Sequence, residues 1–184
     1  AATKVAADQL ALSFFYSFET PVSVLRPFNT YGPRQSTRAV IPTIITQIAK
    51  GNPVVRLGSL NPTRDFTFVK DTARAFYDTA ECDNALGLVL NSGSNFEISI
   101  GDLATSIAKL MKKTVKIEAD SERIRPAGSE VERLFSSYEK LNQLTGWRPK
   151  YSGKDNFLNG LKLTIDWYTR PENLAHYRRT TYVI

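Results

Sequence analysis

The sequence of 184 residues predicts an α/β fold built on parallel strands, and two observations carry that expectation. Four short apolar runs, at residues 22–25, 54–57, 88–90 and 114–117, alternate with longer segments whose apolar residues recur at helical spacing. Short runs rich in β-branched residues suit strands buried on both faces, and strands alternating with helices through short connections imply parallel pairing. The first run also ends in a Pro- and Gly-containing stretch, and in open α/β sheets ligands gather outside the carboxyl ends of strands.

Taken in order, residues 1–19 place Ala7, Ala11, Phe14, Phe15 and Phe18 along one side of a helix, which Thr20-Pro21 ends. The strand at 22–25 leads into Arg26-Pro27 and a loop holding Gly32 and Pro33. Residues 38–50 read as a helix, stopped by Gly51 through left-handed backbone geometry and by Asn52-Pro53 through steric exclusion. After the strand at 54–57, residues 58–62 form a turn and 66–69 look strand-like. Val69, Ala73, Phe76 and Ala80 then space a helix beginning near Asp71, a candidate cap or first-turn acid. The strand at 88–90 precedes Asn91 to Asn95, expected to be irregular. Ser99 with Asp102 predicts a capped amphipathic helix burying Ile100, Leu103, Ala104, Ile107, Leu110 and Met111. Leu134, Tyr138 and Leu141 stripe a short helix that Gly146 stops. A last helix over 154–168 buries Leu158, Leu161, Ile165 and Tyr168. No repeat and no linker divides the chain.

Hydrophobic content of 42% and charged content of 23% describe a globular chain. No apolar run approaches the roughly 18 to 20 residues of a membrane span, and no signal segment opens the sequence, so a cytoplasmic location is expected. The net charge of +6 is spread without a Lys/Arg block or a base-stacking aromatic motif. That distribution argues against nucleic acid and for an anionic small molecule. Cys82 is the only cysteine, which excludes an internal disulfide and argues against a thiolate metal centre; the single His176 reads as a surface residue.

Four features carry chemistry. Lys4 sits in the first helix. Arg26-Pro27-Phe28-Asn29-Thr30-Tyr31-Gly32-Pro33 has a proline that fixes φ and a glycine that permits positive φ, holding backbone amides where they can face a ligand. Asn29 would alternatively bond its own turn, and Arg26 a core carboxylate. Arg64, just before the strand-like 66–69, presents a fork suited to phosphate oxygens or, alternatively, a local pair with Asp65. Arg125-Pro126 is followed by Glu130, otherwise a charged loop.

Together these strings resemble the extended short-chain dehydrogenases/reductases, the family of NAD-dependent nucleotide-sugar epimerases and dehydratases. The resemblance implies the C-terminal part of a Rossmann-type doubly wound parallel sheet plus the small α/β substrate-binding domain. Residues 1–57 would then belong mainly to the NAD-binding domain, and 58–184 mainly to the nucleotide-sugar subdomain, interleaved with returning Rossmann elements. It implies a catalytic role for Lys4, beside a tyrosine that would precede residue 1. It implies contacts to NAD from Lys4, Pro27, Phe28 and Asn29, and to the nucleotide sugar from Asn29, Arg38, Arg64, Asn91, Arg125 and Glu130. The spacing from Arg125 to Glu130 departs slightly from the family's pattern. An N-terminal half would supply the glycine-rich NAD motif, so this chain alone is expected to be inactive, and the complete enzyme is expected to be a homodimer. The combined strings look most like UDP-N-acetylhexosamine 4,6-dehydratases. A 4-epimerase would share the same residues, and a non-catalytic nucleotide-sugar binding fragment, or the partner half of a split enzyme, is the alternative of another class.

Overall fold

A computed structural model describes residues 2–123, 128 and 130–177. Arg125 and Pro126 lie outside the described residues, as does the side chain of His176. The elements are α1 (Ala2–Phe18), β1 (Val24–Pro27), β2 (Asn29–Tyr31), α2 (Val40–Ala49), β3 (Val54–Leu57), β4 (Thr63–Phe68), α3 (Val69–Ala80) and β5 (Val89–Ser92). They continue with β6 (Glu97–Ser99), α4 (Ile100–Leu110), β7 (Lys116–Ala119), β8 (Arg133–Leu134), α5 (Glu139–Thr145), α6 (Gly153–Thr169) and α7 (Pro171–Tyr177). Parallel pairing dominates: β1 runs with β5, β3 with β7, and β4 with both β2 and β8. Among the described residues only β6 lies antiparallel, against β4.

The fold class is α/β, as the sequence predicts, but several local expectations need correction. The stretch after residue 25 is extended strand on either side of Phe28, not a loop. Phe28 donates its N–H to the Ser92 carbonyl at 2.9 Å, and one residue later Asn29 stands opposite Phe66. The chain thus leaves β5 and joins β4 across a single residue. Asn91 and Ser92 are strand, because Arg26 and Pro27 pair with them. Arg64 lies within β4, and Leu134 belongs to β8 instead of a helix. Strand β7 starts two residues later than expected; its register is set by the Lys116 N–H to the Pro53 carbonyl, 2.9 Å away. Phe68 is the N-cap of α3, and Asp71 takes the other expected role, the acid of its first turn. The Asp71 carboxylate is buried and accepts from the Tyr151 N–H at 2.8 Å.

Other local signals act as the residue types dictate. Gly51 follows α2 with φ of +81° and Gly146 caps α5 with φ of +73°, both in the left-handed region open to glycine. Ser99 Oγ accepts from the Asp102 N–H at 3.0 Å, capping α4, and donates to the Asp102 carboxylate at 2.7 Å. Ser99→Ala should therefore destabilise the fold by about 1 kcal/mol. A urea midpoint unmoved by this substitution would show that the cap contributes nothing.

The main core joins β2, β4 and α6 through aromatic rings: Tyr31 lies edge-on to Phe68 and Phe157, with centroids at 5.4 and 5.3 Å. A second cluster gathers Trp147, Leu141, Leu90, Ala75 and Ala85. Helix α1 stands apart, since none of its residues is buried and Leu10, Phe14 and Phe18 are exposed. It is fastened by the Asp8–Arg26 pair at 2.7 Å and by Phe15 lying against Gly87. No helix among the described residues is long and apolar enough to cross a membrane.

Candidate active-site cleft

The partner exchange at Phe28 brings Asn29 to the head of β2, beside the centre of β4. There Asn29 donates from Nδ2 to the carbonyl of Asp65 at 3.1 Å, so its amide is held by the neighbouring strand and not by its own turn. Along β4, successive side chains face opposite sides. Arg64 therefore cannot pair locally with Asp65. Its Nη1 donates to the Thr63 carbonyl at 2.8 Å and its Nη2 to Glu130 Oε1 at 2.9 Å. The two charged side chains are only 15% and 13% exposed, so screening of this pair is reduced.

Asp65 points the other way, fully buried. Its carboxylate accepts from the N–H and Oγ of Ser94, each at 2.7 Å, from the Asn95 N–H at 3.1 Å and from the Ser136 N–H at 3.3 Å. Burial holds this carboxyl above the usual carboxylate range, with the Ser94, Ser136 and Asn95 hydrogen bonds pulling down against it. Gly93 makes the approach possible: a Cβ there would lie 2.3 Å from the Ser136 Cβ.

Asn29, Arg38, Arg64 and Glu130 all line one cleft of about 560 Å³, walled by the approach to α2, the end of β3 and the middle of β4. Two further residues that the sequence reading did not single out also line it, Gln35 and Arg123. Gln35 donates from Nε2 to the Thr30 carbonyl at 2.7 Å, and its signal was its place two residues after Gly32-Pro33. Arg123 donates to Asp120 at 3.1 Å and to the Arg56 carbonyl at 3.2 Å; nothing in the charged stretch before Arg125 distinguished it. Gly58 admits this segment, since a Cβ there would sit 2.7 Å from the Arg123 carbonyl oxygen.

Of the other described residues singled out in the sequence as catalytic or ligand contacts, none lines this cleft. Lys4 is exposed on α1, Pro27 and Phe28 lie at the partner exchange, and Asn91 is exposed on β5 opposite Arg26. Arg26 pairs with Asp8 of α1 and not with a core carboxylate. Among the described residues no cluster of His, Cys, Asp or Glu is suited to a metal ion. Among the described residues the cleft's lining thus carries three arginines against one glutamate, with Arg64 held in place at two points, an arrangement that can receive an anion bearing several oxygens.

Comparison with known proteins identifies the family. The GDP-mannose 4,6 dehydratase family profile matches residues 1–157. Human dTDP-D-glucose 4,6-dehydratase is 32% identical over 182 residues, covering 97% of this chain and 49% of the human protein. An epimerase structure from Methanothermobacter thermautotrophicus superposes with a TM-score of 0.84 at 28% identity, covering 96% of this chain and 51% of that one. The dTDP-glucose 4,6-dehydratase of Bacillus anthracis, solved in complex with NAD, superposes with a TM-score of 0.82 at 29% identity over 93% of this chain and 52% of that one. The chain spans between about a quarter and about half the length of the curated relatives it matches. The profile match and the relatives show that the chain belongs to the GDP-mannose 4,6 dehydratase family, among the extended short-chain dehydrogenase/reductase epimerases and dehydratases.

Proposed function

We propose that this chain is the C-terminal half of an NAD-dependent nucleotide-sugar 4,6-dehydratase acting on a UDP-N-acetylhexosamine. The observation that carries this reading is the convergence of Asn29, Arg38, Arg64 and Glu130 on one cleft of about 560 Å³. That volume falls within the roughly 300–1,000 Å³ of small-molecule sites. Arg64 would fork onto the diphosphate, joined by Arg125, while Asn29 and Glu130 would take hydroxyls of the sugar and the nucleoside. Arg38 would add charge at the diphosphate.

The overall conversion removes water across C5 and C6 and leaves a ketone at C4, with no net change in the cofactor. Bound NAD would supply reversible hydride acceptance, and Lys4, Pro27, Phe28 and Asn29 are the residues of this chain that would hold it. Lys4 and Pro27 are exposed, which leaves the ammonium available to cofactor hydroxyls. The same positive charge would stabilise the phenolate of a tyrosine in the N-terminal half. Exposed Leu10, Phe14 and Phe18 suit burial against that half and a second subunit.

Calorimetric titration of the chain with UDP-N-acetylglucosamine tests the reading. Saturable binding is expected, tighter than for dTDP-glucose. Arg64→Ala combined with Glu130→Gln, which leaves no stranded carboxylate, should weaken it at least about tenfold, or ~1.4 kcal/mol. Equal affinity in the double variant and the wild type would refute this use of the cleft.

A further inference from the structure

On the face of β4 turned away from the cleft, one ion pair spans three strands. Side chains alternate along β4, so Thr63 stands on the side opposite Arg64, together with Arg133, its partner on β8, and Glu97, which faces Asp65 from β6. Arg133 forks onto Glu97, with Nη2 donating to Oε1 at 2.7 Å and Nε to Oε2 at 2.9 Å. Thr63 Oγ1 donates to the same Oε2 at 2.7 Å. The pair thus passes over β4 and ties its two neighbours together. The Arg133 guanidinium also lies 5.0 Å from the centre of the Phe135 ring.

Exposed ion pairs ordinarily contribute little, but a bidentate pair within a network is the exception. Strand β8 needs such a fastening, because it is only two residues long. The segment leading into it carries Glu130, which receives Arg64 Nη2. The Thr63 peptide joins the two faces: its N–H donates to the Glu132 carbonyl at 2.9 Å, and its carbonyl accepts Arg64 Nη1 at 2.8 Å. Neither Thr63, Glu97 nor Arg133 lines the cleft. We propose that Arg133 is a positioning residue for the cleft: its fork to Glu97 pins β8 to β4 and so fixes Glu130 where it orients Arg64. The effect on ligand binding rests on the function proposed above, whereas the pinning of β8 stands without it.

Amide hydrogen exchange of the unliganded chain reads the pinning directly. Arg133→Gln and Glu97→Gln should each speed exchange of the Thr63 N–H at least about fivefold, while the Lys116 N–H, bonded to the Pro53 carbonyl, changes by less than about twofold. Arg133 is 65% exposed, so its replacement opens no cavity, and Glu97→Gln leaves the contact with Phe135 in place. Calorimetric titration with UDP-N-acetylglucosamine then reads the cleft. Arg133→Gln should weaken binding at least about threefold, yet change it by less than about twofold when Arg64→Ala and Glu130→Gln are already present, because no pair is left to position. A merely structural role would weaken both backgrounds alike. Unchanged Thr63 exchange, wild-type affinity in Arg133→Gln, or an equal loss in both backgrounds would each overturn the proposal. Failure of the wild type to bind the nucleotide sugar, with Thr63 exchange still accelerated in the variants, would strike the cleft's assignment and leave the pinning of β8 upheld.

Discussion

Asp65→Asn is expected to lower the unfolding free energy by about 2–5 kcal/mol, although it changes one atom of a residue that never meets the cleft. The carboxylate receives four donor contacts, two on each oxygen, from Ser94, Asn95 and Ser136. An amide offers one acceptor and one donor. Turned one way, its NH₂ group meets the Asn95 and Ser136 N–H groups; turned the other, it meets the Ser94 N–H and a hydroxyl that can rotate to accept, so at least one N–H is left unsatisfied at about 1–3 kcal/mol. Rearrangement by flexing is restricted, because Gly93 already brings the backbone against Ser136 and Ser152 donates to the Ser94 carbonyl. The damage should also reach the ligand. The carbonyl of Asp65 holds the Asn29 amide, and Arg64 is the preceding residue on β4, so a displaced strand loosens both ends of the cleft at once. Urea unfolding followed by circular dichroism, with nucleotide-sugar titration on the folded fraction, measures the two effects. An unchanged unfolding midpoint would mean that the carboxylate does not tie these segments together.

The same strand explains what the sequence could and could not disclose. Strand β3 falls at its expected bounds, and Gly51 and Gly146 stop helices where their residue type permits a left-handed backbone. These features are local: a few neighbouring side chains determine them. Strands β2, β6 and β8, two or three residues each, exist only because β4 pairs with them, and so short a segment carries no periodicity of its own. The β2 segment was recognisable as a special string through its proline and glycine, yet its extended form depended on the β4 partner. The cleft divides in the same way. Asn29, Arg38, Arg64 and Glu130 were legible through family strings, whereas Arg123 enters by way of Gly58, a contact between residues far apart in the chain. Partners were the least legible part. In sequence Asp65 is the nearest acid to Arg64, but strand alternation sends Arg64 to Glu130, and Asp71 finds its partner at Tyr151 on the approach to α6.

Phe157→Ala should cost about 3–5 kcal/mol, a large share of the roughly 5–15 kcal/mol typical of a folded domain. Phe157 is fully enclosed, and its ring meets Tyr31, Phe66 and Phe96 at centroid distances of 5.3, 6.2 and 5.5 Å. Its carbonyl also accepts the buried Tyr31 hydroxyl at 3.3 Å. Removing the ring leaves a cavity among aromatic side chains too rigid to close over it, so the loss includes both transfer and cavity contributions. The location makes the consequence functional. Tyr31 and Phe66 belong to β2 and β4, the strands that present Asn29 and Arg64, and α6 presses them together through this ring. Phe157→Leu keeps much of the apolar volume and should cost distinctly less. Guanidinium unfolding of both variants discriminates packing from hydrogen bonding, because the Tyr31 hydroxyl bonds to a main-chain carbonyl that each substitution preserves. If leucine proves as destabilising as alanine, enclosed volume is not what joins α6 to the strands, and the aromatic geometry itself must supply the difference.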